Sequence, residues 1–373
     1  MVSLELLPME LVLDLAEHMD IASLKQFMAT NKDLYELINS HEWSITEAKT
    51  SAYTLPPCGK YIMSSTTITR HVLSCGTFKA AAELERRERR VDDLLRHSTE
   101  FLDMTSPLEL RSELTTAQKD RLVGLLWRAI YHCDRVADLA ANGPHEAAGA
   151  PPPERWDLIT TGAWRLPEED FPEEIRGRDP CTNFAARPAQ IAYIRALPAQ
   201  DVLFIFYLVA VCGAAFSRKR RIYESSDPAA LERVTIFEEC VLRHGTYFLW
   251  SYVRSARGGE MEEMSGHLLA AGLDELADWE TGKPGVMAGL RMTLLNRFRE
   301  VCLDGDDDDE TGISITRCMF EMVGDLILGR KGGKKGKGGK KEGEEGKEDD
   351  EDEESRDEGE GEGEGDDVDV DEA

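Results

Sequence analysis

Histidine, cysteine and acidic side chains are the residues of this chain that could catalyse a reaction or bind a metal. The eight histidines are scattered singly, and His132 and His244 fall within apolar stretches of helical spacing, where structural histidines outnumber catalytic bases. The eight cysteines are also single, without a C-x-x-C pair, so neither a zinc site nor a disulfide framework is predicted. We expect the cysteines to be small buried residues in a reducing compartment.

Other common signatures of chemistry are missing from the sequence before residue 330. It contains no G-x-G-x-x-G, P-loop, G-x-S-x-G or H-E-x-x-H motif. Asp304, Asp306 and Asp308 have the opening spacing of a calcium loop, but Asp309 replaces its glycine and Ile315 its final glutamate. We therefore predict no catalytic residue, no metal and no cofactor, and we expect that the chain is not an enzyme.

The charge of the chain narrows the choice of partners. With 44 basic and 72 acidic residues the formal net charge is −28, which argues against nucleic acid as a partner. Residues 330–373 contain 9 basic residues, mostly in the first part, and 20 acidic residues, mostly in the second. This tail has almost no apolar side chains, so we expect it to be disordered. Its role is either to keep the chain soluble or to bind basic proteins.

The N-terminal residues are predicted to form a compact helical unit. From Leu6 to Ile38 the apolar residues recur at helical spacing in three groups, which predicts a three-helix unit. Its first helix follows Leu7-Pro8, its second starts near Ser23, and Thr30-Asn31-Lys32-Asp33 has the spacing of a capping box for the third. So small a bundle needs support from a partner or from the rest of the chain.

These N-terminal residues resemble a known family. The positions that carry the resemblance are Leu7-Pro8-x-Glu10-Leu11, Leu15, Met19-Asp20, Ser23-Leu24, Phe27, Thr30-Asn31-Lys32 and Leu34-Tyr35. Together they look like an F-box of the form common in fungal sequences, with Met19, Ile21 and Ser23 replacing the more usual Leu, Pro and Asp. The resemblance covers about 40 of the 373 residues.

The resemblance implies a function as the substrate-recruiting subunit of an SCF-type ubiquitin ligase. The F-box would bind the Skp adaptor and, through it, the cullin, while the rest of the chain recruits an unknown protein substrate. The residues expected to face the adaptor are Leu7, Pro8, Glu10, Leu11 and Leu24. Those expected to be internal are Leu15, Phe27 and Leu34. The alternative, from the residues alone, is that all of these apolar side chains fill one helical core.

The body of the chain, residues 49–329, is predicted to be all-α. Its apolar periodicity predicts long helices over 78–102, 115–141 and 227–258, two shorter helices within 260–303, and a last helix over 313–328. The Glu-Arg-Arg-Glu-Arg-Arg run that ends at Arg90 is interpreted as a solvated helix face. No stretch alternates in the manner of a strand.

Two stretches of the body leave alternatives open. The Pro-rich segment 143–188 contains Trp156, Trp164 and Phe171, so it is either an irregular loop packed on the helices or part of a binding surface. Residues 202–216 are continuously apolar, but they fall short of the roughly 20 residues that span a bilayer. We therefore favour a buried helix over a membrane anchor for this stretch.

The sequence thus predicts three regions: an F-box over 1–48, a helical substrate-recruitment domain over 49–329 and a disordered tail over 330–373. The N-terminus lacks the basic start of a secretory signal, so a cytoplasmic or nuclear location is expected. A different class of function is a non-catalytic scaffold or chaperone, with an F-box-like bundle, an acidic tail for basic partners and no ligase role. An enzyme with an unrecognised helical site is the third hypothesis.

Overall fold

The computed structural model describes much of the chain up to Arg330. The described residues are 7–54, 56–65, 72–97, 101, 114–142, 186–219, 228–254, 265–273, 289–303 and 312–330. They all belong to the first of the two units into which the chain divides, residues 1–332 and 333–373. The predictions for residues 143–185, which include Trp156, Trp164 and Phe171, and for the tail after Arg330 lie outside the described residues.

Four short helices form the N-terminal part. They are α1 (Met9–His18), α2 (Ile21–Met28), α3 (Lys32–Ser40) and α4 (Glu42–Ser51). The first three match the predicted three-helix unit. Asp20 caps α2 by accepting a hydrogen bond from the Ser23 amide at 2.9 Å, and Asn31 caps α3 by accepting one from the Asp33 amide at 2.8 Å. The capping box predicted at Thr30 is wrong by one residue, because the Thr30 hydroxyl instead donates to a backbone carbonyl of α2.

A short antiparallel hairpin links these helices to the next. Its strands are β1 (Tyr61–Met63) and β2 (Val72–Ser74), with Ile62 paired to Leu73. Helix α5 (Phe78–Asp92) follows and continues into a π-helical turn (Asp93–His97). The hairpin was not predicted, because each strand is three residues long and too short to show alternation.

Helix α6 (Thr116–Ala141) is the longest described helix and confirms its prediction. Thr115 and Gln118 form both hydrogen bonds of a capping box at its start. The predicted core face is buried, from Leu122 through Ile130 to Ala140. The capping signal and the apolar spacing lie within this segment itself, so the sequence alone was sufficient to locate the helix.

Seven further helices complete the body. They are α7 (Arg187–Ala196), α8 (Ala199–Lys219), α9 (Pro228–His244), α10 (Thr246–Arg254), α11 (residues 265–273), α12 (Gly289–Cys302) and α13 (Gly312–Leu328). Helix α8 is central, since it packs against α6, α9, α12 and α13. The described residues therefore form thirteen helices and one two-stranded sheet, and the prediction of an all-α fold is confirmed.

The apolar stretch 202–216 lies within α8. By length and composition this helix could cross a membrane, and 67% of its most apolar window is buried inside the protein. Tyr207, Leu208 and Cys212 are fully enclosed, and the Phe206 ring stacks on Phe298 of α12 at a centroid distance of 4.7 Å. These contacts are those of a helix in a protein core and agree with the interpretation favoured above.

The prediction of one long helix over 227–258 is wrong in one respect, because the helix is broken at Gly245. This residue has a φ of +52°, which separates α9 from α10. A Cβ atom at this position would lie 2.3 Å from Oδ1 of Asp134 on α6. That same carboxylate caps α10, accepting hydrogen bonds from the Thr246 amide at 2.8 Å and the Thr246 hydroxyl at 2.6 Å.

Candidate functional site

The N-terminal helices have a small core of their own that is completed by α5. Ile21, Leu24 and Met28 of α2 are buried together with Ile38 of α3 and Phe78 of α5. The spacing of the three α2 residues places them on one helix face, between α3 and α5. Helix α5 thus supplies the support that a bundle of this size was expected to need.

Polar contacts reinforce this support at the ends of the helices. Both carboxylate oxygens of Glu85 on α5 accept from the Ile21 amide, at 3.0 and 3.1 Å, at the start of α2. Glu42 on α4 accepts from the Phe78 amide, at 2.6 Å, at the start of α5. Lys49 of α4 donates to the carbonyls of Glu17 and Met19 at the end of α1. Each contact satisfies a backbone group that a helix end leaves unpaired.

The exposed face of α1 carries large apolar side chains. Leu11 is 53% exposed and Leu15 is 42% exposed, and their spacing of four residues places them on one face. Met9, two residues before Leu11, is 50% exposed but lies on a different side of the helix, and Val12 and Ala16 of the same helix are buried. The helix is therefore apolar on both sides, and only one side is covered within the described residues.

The predicted adaptor-facing residues fall into two groups. Pro8, Glu10 and Leu11 are exposed and Leu7 is half-buried, so these four lie at or next to the surface at the start of α1. Leu24 is fully buried in the core under α5, so its assignment to an exposed surface is wrong.

The opposite correction applies to one residue predicted to be internal. Leu15 is exposed, whereas Leu34 is buried and Phe27 is half-buried, as expected. Leu15 extends the apolar face that starts at Leu11. Sequence spacing identifies both faces of α1 as apolar, but only the docking of α4 decides which one is left open.

A second notable group is a buried charge network beneath the hairpin, centred on Arg87 of α5. Its guanidinium donates to Oδ1 and Oδ2 of Asp138 on α6, both at 2.9 Å, and to the Met63 carbonyl of β1. Its Nε also donates to Glu83 at 3.3 Å. Arg87 is therefore not on a solvated face, and the prediction for this part of the arginine run is wrong. Burial alone would lower the pKa of Arg87, but Asp138 and Asp134 hold it well above its ordinary value.

A small cavity adjoins this network. It is lined in part by Tyr53, Pro57, Leu84 and Tyr131, and it encloses about 20 Å³, room for roughly one water molecule. Asp134 of α6 also lines this cavity. Burial raises the pKa of Asp134, although Arg87 and Thr246 oppose the shift. A cavity of this size does not accommodate a substrate, so the network ties elements together rather than forming an active site.

His132, which received no predicted role, lies in a third cluster that joins three helices. Its Nδ1 is 2.6 Å from the Tyr193 hydroxyl of α7, and its Nε2 is 3.5 Å from Oδ2 of Asp201 on α8. Asp201 also accepts from Arg128 at 3.0 Å. Burial lowers the pKa of His132 and raises that of Tyr193 to about 12. The neutral His132 therefore links α6 to α7 through Tyr193, and the hydrogen bond from Arg128 to Asp201 links α6 to α8.

The described residues contain no candidate metal centre. Among the described residues, no three His, Cys, Asp or Glu side chains are grouped so that they could hold a metal ion. Residues 304–311, which contain most of the calcium-like spacing, lie outside those residues. Of the features that the structure describes, the open face of α1 is the one that coincides with the family resemblance in the sequence.

Comparisons with known proteins add no relative. No protein-family model, no curated protein and no solved structure matches this chain. The resemblance to the F-box therefore rests on the quoted residues and on the agreement of the first three helices with their spacing.

Proposed function

We propose that this chain is the substrate-recruiting subunit of an SCF-type ubiquitin ligase. In this proposal the N-terminal helices bind the Skp adaptor, the helical body recruits the protein to be ubiquitinated, and the chain contributes no catalytic residue. The observation that supports it is the open apolar face of α1, formed by Leu11 at the end of the L-P-x-E-L motif and by Leu15 one turn later.

Energetics favours a partner on this face. Burying a leucine side chain contributes about 1.5–3 kcal/mol, so two exposed leucines one turn apart leave a substantial free energy unused in the isolated chain. Solvent-exposed helix positions are usually polar, as Glu10 and Asp14 on the same helix illustrate, since both are exposed and charged. An apolar pair with an acidic rim is typical of the centre and edge of a protein–protein interface.

The proposed mechanism is tethering. A subunit that holds both the ligase and its target raises their effective concentration without lowering a chemical barrier itself. The contacts of Glu85 and Glu42 with the helix ends, and of Arg87 with Asp138, support this role because they connect the N-terminal helices to the body. A firm connection keeps the spacing between adaptor and target constant.

Copurification tests the proposal. The full chain and the Skp adaptor are coexpressed, with Leu11→Asp as the test variant and Met292→Asp as its control, since Met292 is an exposed apolar residue of α12. We expect the intact chain and the control to retain the adaptor and the test variant to lose it. Failure of the intact chain to retain any adaptor would overturn the proposal. Binding of basic proteins that is lost when residues 331–373 are removed would then favour the scaffold.

A further inference from the structure

Two cysteines lie at the open end of the hairpin. Cys58 precedes β1 and is exposed, and Cys75 directly follows β2 and is half-exposed. Cys133, Cys212 and Cys240 are buried in the body core, as the sequence predicted for all eight. The prediction is therefore wrong for Cys58, which is exposed, and for Cys75, Cys302 and Cys318, which are half-exposed.

The register of the hairpin brings these two cysteines near each other. Tyr61 is paired with Ser74, and the Cys75 amide donates to the Lys60 carbonyl at 2.8 Å, which extends the pairing by one residue. Cys58 is two residues before Lys60, so it occupies the position diagonal to Cys75. Diagonal neighbours in an antiparallel pair are separated by about 7–8 Å at Cα and by less at Cβ.

The electrostatics agree with this proximity. Burial raises the pKa of Cys75 to about 11, and the charge of Cys58 is among the further causes of that shift. Burial also raises the pKa of Cys58, against the opposing effect of Arg135. Asp138 raises the pKa of both thiols, as expected if they lie on the same side of the hairpin.

The backbone between the two thiols is irregular on the Cys58 side. Residues 58–60 form bends rather than strand, and a Cβ atom at Gly59 would lie 2.3 Å from Oδ1 of Asn142. Asn142 also holds Tyr61 through two hydrogen bonds, at 3.0 and 2.6 Å, so β1 itself is anchored. A disulfide requires Cβ atoms about 3.5–4.5 Å apart, so closing the bridge requires these bends to shift towards Cys75.

We propose that Cys58 and Cys75 form a reversible disulfide when glutathione disulfide is abundant. The Cys58 thiolate attacks glutathione disulfide, which forms a mixed disulfide and releases one glutathione. The Cys75 thiolate then attacks the Cys58 sulfur and releases the second glutathione. Two protein thiols are oxidised to one disulfide, two protons are released to solvent, and the two electrons reduce glutathione disulfide to two glutathione thiolates, which take up protons.

The bridge would act where the N-terminal helices join the body. Cys75 is followed by Gly76, which lies against the Trp43 indole of α4, and by Thr77, which caps α5. Closing the hairpin therefore fixes the turn that leads into the helix supporting the N-terminal core. The proposal stands independently of adaptor binding, because it concerns thiols outside the α1 face.

The test is peptide mapping of the full chain after incubation with glutathione disulfide. We expect a Cys58–Cys75 linkage that dithiothreitol removes, and the same linkage in Cys302→Ser, which lacks a different half-exposed thiol. In the Cys75→Ser variant the reaction should stop at a glutathione adduct on Cys58. In the Cys58→Ser variant Cys75 should form no disulfide within the chain. Circular dichroism of each variant confirms that the helices are intact.

The pH dependence supplies an independent readout. Because both pKa values are raised, the rate of bridge formation should increase about tenfold per pH unit between about pH 7 and pH 9. Persistence of the glutathione adduct on Cys58 in the intact chain at about pH 9 would overturn the proposal. Linkage of Cys58 to any cysteine other than Cys75 would also overturn it.

Discussion

Arg87 and Asp138 form an ion pair of two hydrogen bonds, each 2.9 Å long, with side chains only 4% and 7% exposed. The pair joins α5, which completes the N-terminal core, to α6, which runs through the body. Met63 of the hairpin is held by both partners, since its carbonyl accepts from Arg87 and its amide donates to Asp138 at 2.8 Å. One pair of side chains therefore connects three elements of the chain.

Removal of one partner of this pair should be strongly destabilising. Arg87→Met leaves the Asp138 charge buried without its cation, which typically costs about 3–5 kcal/mol. The matched control is Arg317→Met, because Arg317 forms an exposed pair with Glu321 and such pairs contribute at most about 1 kcal/mol. Urea unfolding monitored by circular dichroism measures both. Equal losses in the two variants would show that the Arg87 pair has no special structural role.

Leu24 and Leu11 should respond differently to truncation. Leu24→Ala creates a cavity in the core under α5 and should lower the free energy of unfolding by about 2–5 kcal/mol. Leu11→Ala changes an exposed position and should alter it by less than about 0.5 kcal/mol. Thermal or urea unfolding of the full chain distinguishes them. A larger loss for Leu11 would contradict the assignment of the core and open faces.

Substitution of two glycines should change stability in opposite directions. Gly245→Ala forces a Cβ against the Asp134 carboxylate at a positive φ, and should destabilise the chain by at least about 1–3 kcal/mol. Gly124→Ala lies within α6, where the Cβ meets no atom within 4 Å, and should stabilise it by about 0.5–1 kcal/mol. Urea unfolding monitored by circular dichroism measures the stability of both variants. Stabilisation by Gly245→Ala would disprove the tight contact with Asp134.

The buried carboxyl group of Asp134 should make stability depend on pH. Burial raises its pKa above the ordinary 3.8, so the folded chain binds this proton more tightly than the unfolded chain. Stability then falls as pH rises from about 3.8 to the raised pKa, and stays lower above it. Asp134→Asn removes this contribution and keeps a carbonyl oxygen for the Thr246 amide.

Urea titrations of the intact chain and of Asp134→Asn at a series of pH values measure this effect. We expect the stability of the intact chain relative to the variant to decline as pH rises through that range. A relative stability that rises with pH would mean that the hydrogen bonds from Thr246 outweigh the cost of burial.

Local signals were sufficient for much of the helical fold. The capping box at Thr115 and the periodic core face of α6 lie within one segment, and so do the spacings of α1, α2 and α3. The break between α9 and α10 depends instead on Asp134, which is 112 residues from Thr246. The sequence near Gly245 contains no trace of that partner, so a continuous helix was predicted.

The candidate site was predicted only in part for a related reason. Leu11 and Leu24 both belong to apolar helix faces. Periodicity alone does not distinguish a helix face that packs into the core from one that stays exposed for a partner. Leu24 is buried in the core because α5 packs on the N-terminal helices through Phe78. Likewise, the burial of Arg87 follows from Asp138, which is 51 residues away.

Binding of the Skp adaptor to the open face of α1 can be measured by titration calorimetry with the purified adaptor and the full chain. The test variant carries both Leu11→Asp and Leu15→Asp, and the control variant carries both Met292→Asp and Leu326→Asp. All four residues are apolar and at least 42% exposed.

We expect the intact chain and the Met292 and Leu326 variant to bind the adaptor equally. The Leu11 and Leu15 variant should bind it at least about 100-fold more weakly, because burial of two leucines is lost. Adaptor binding that is undetectable for the intact chain, or unchanged when Leu11 and Leu15 are both replaced, would contradict the proposal.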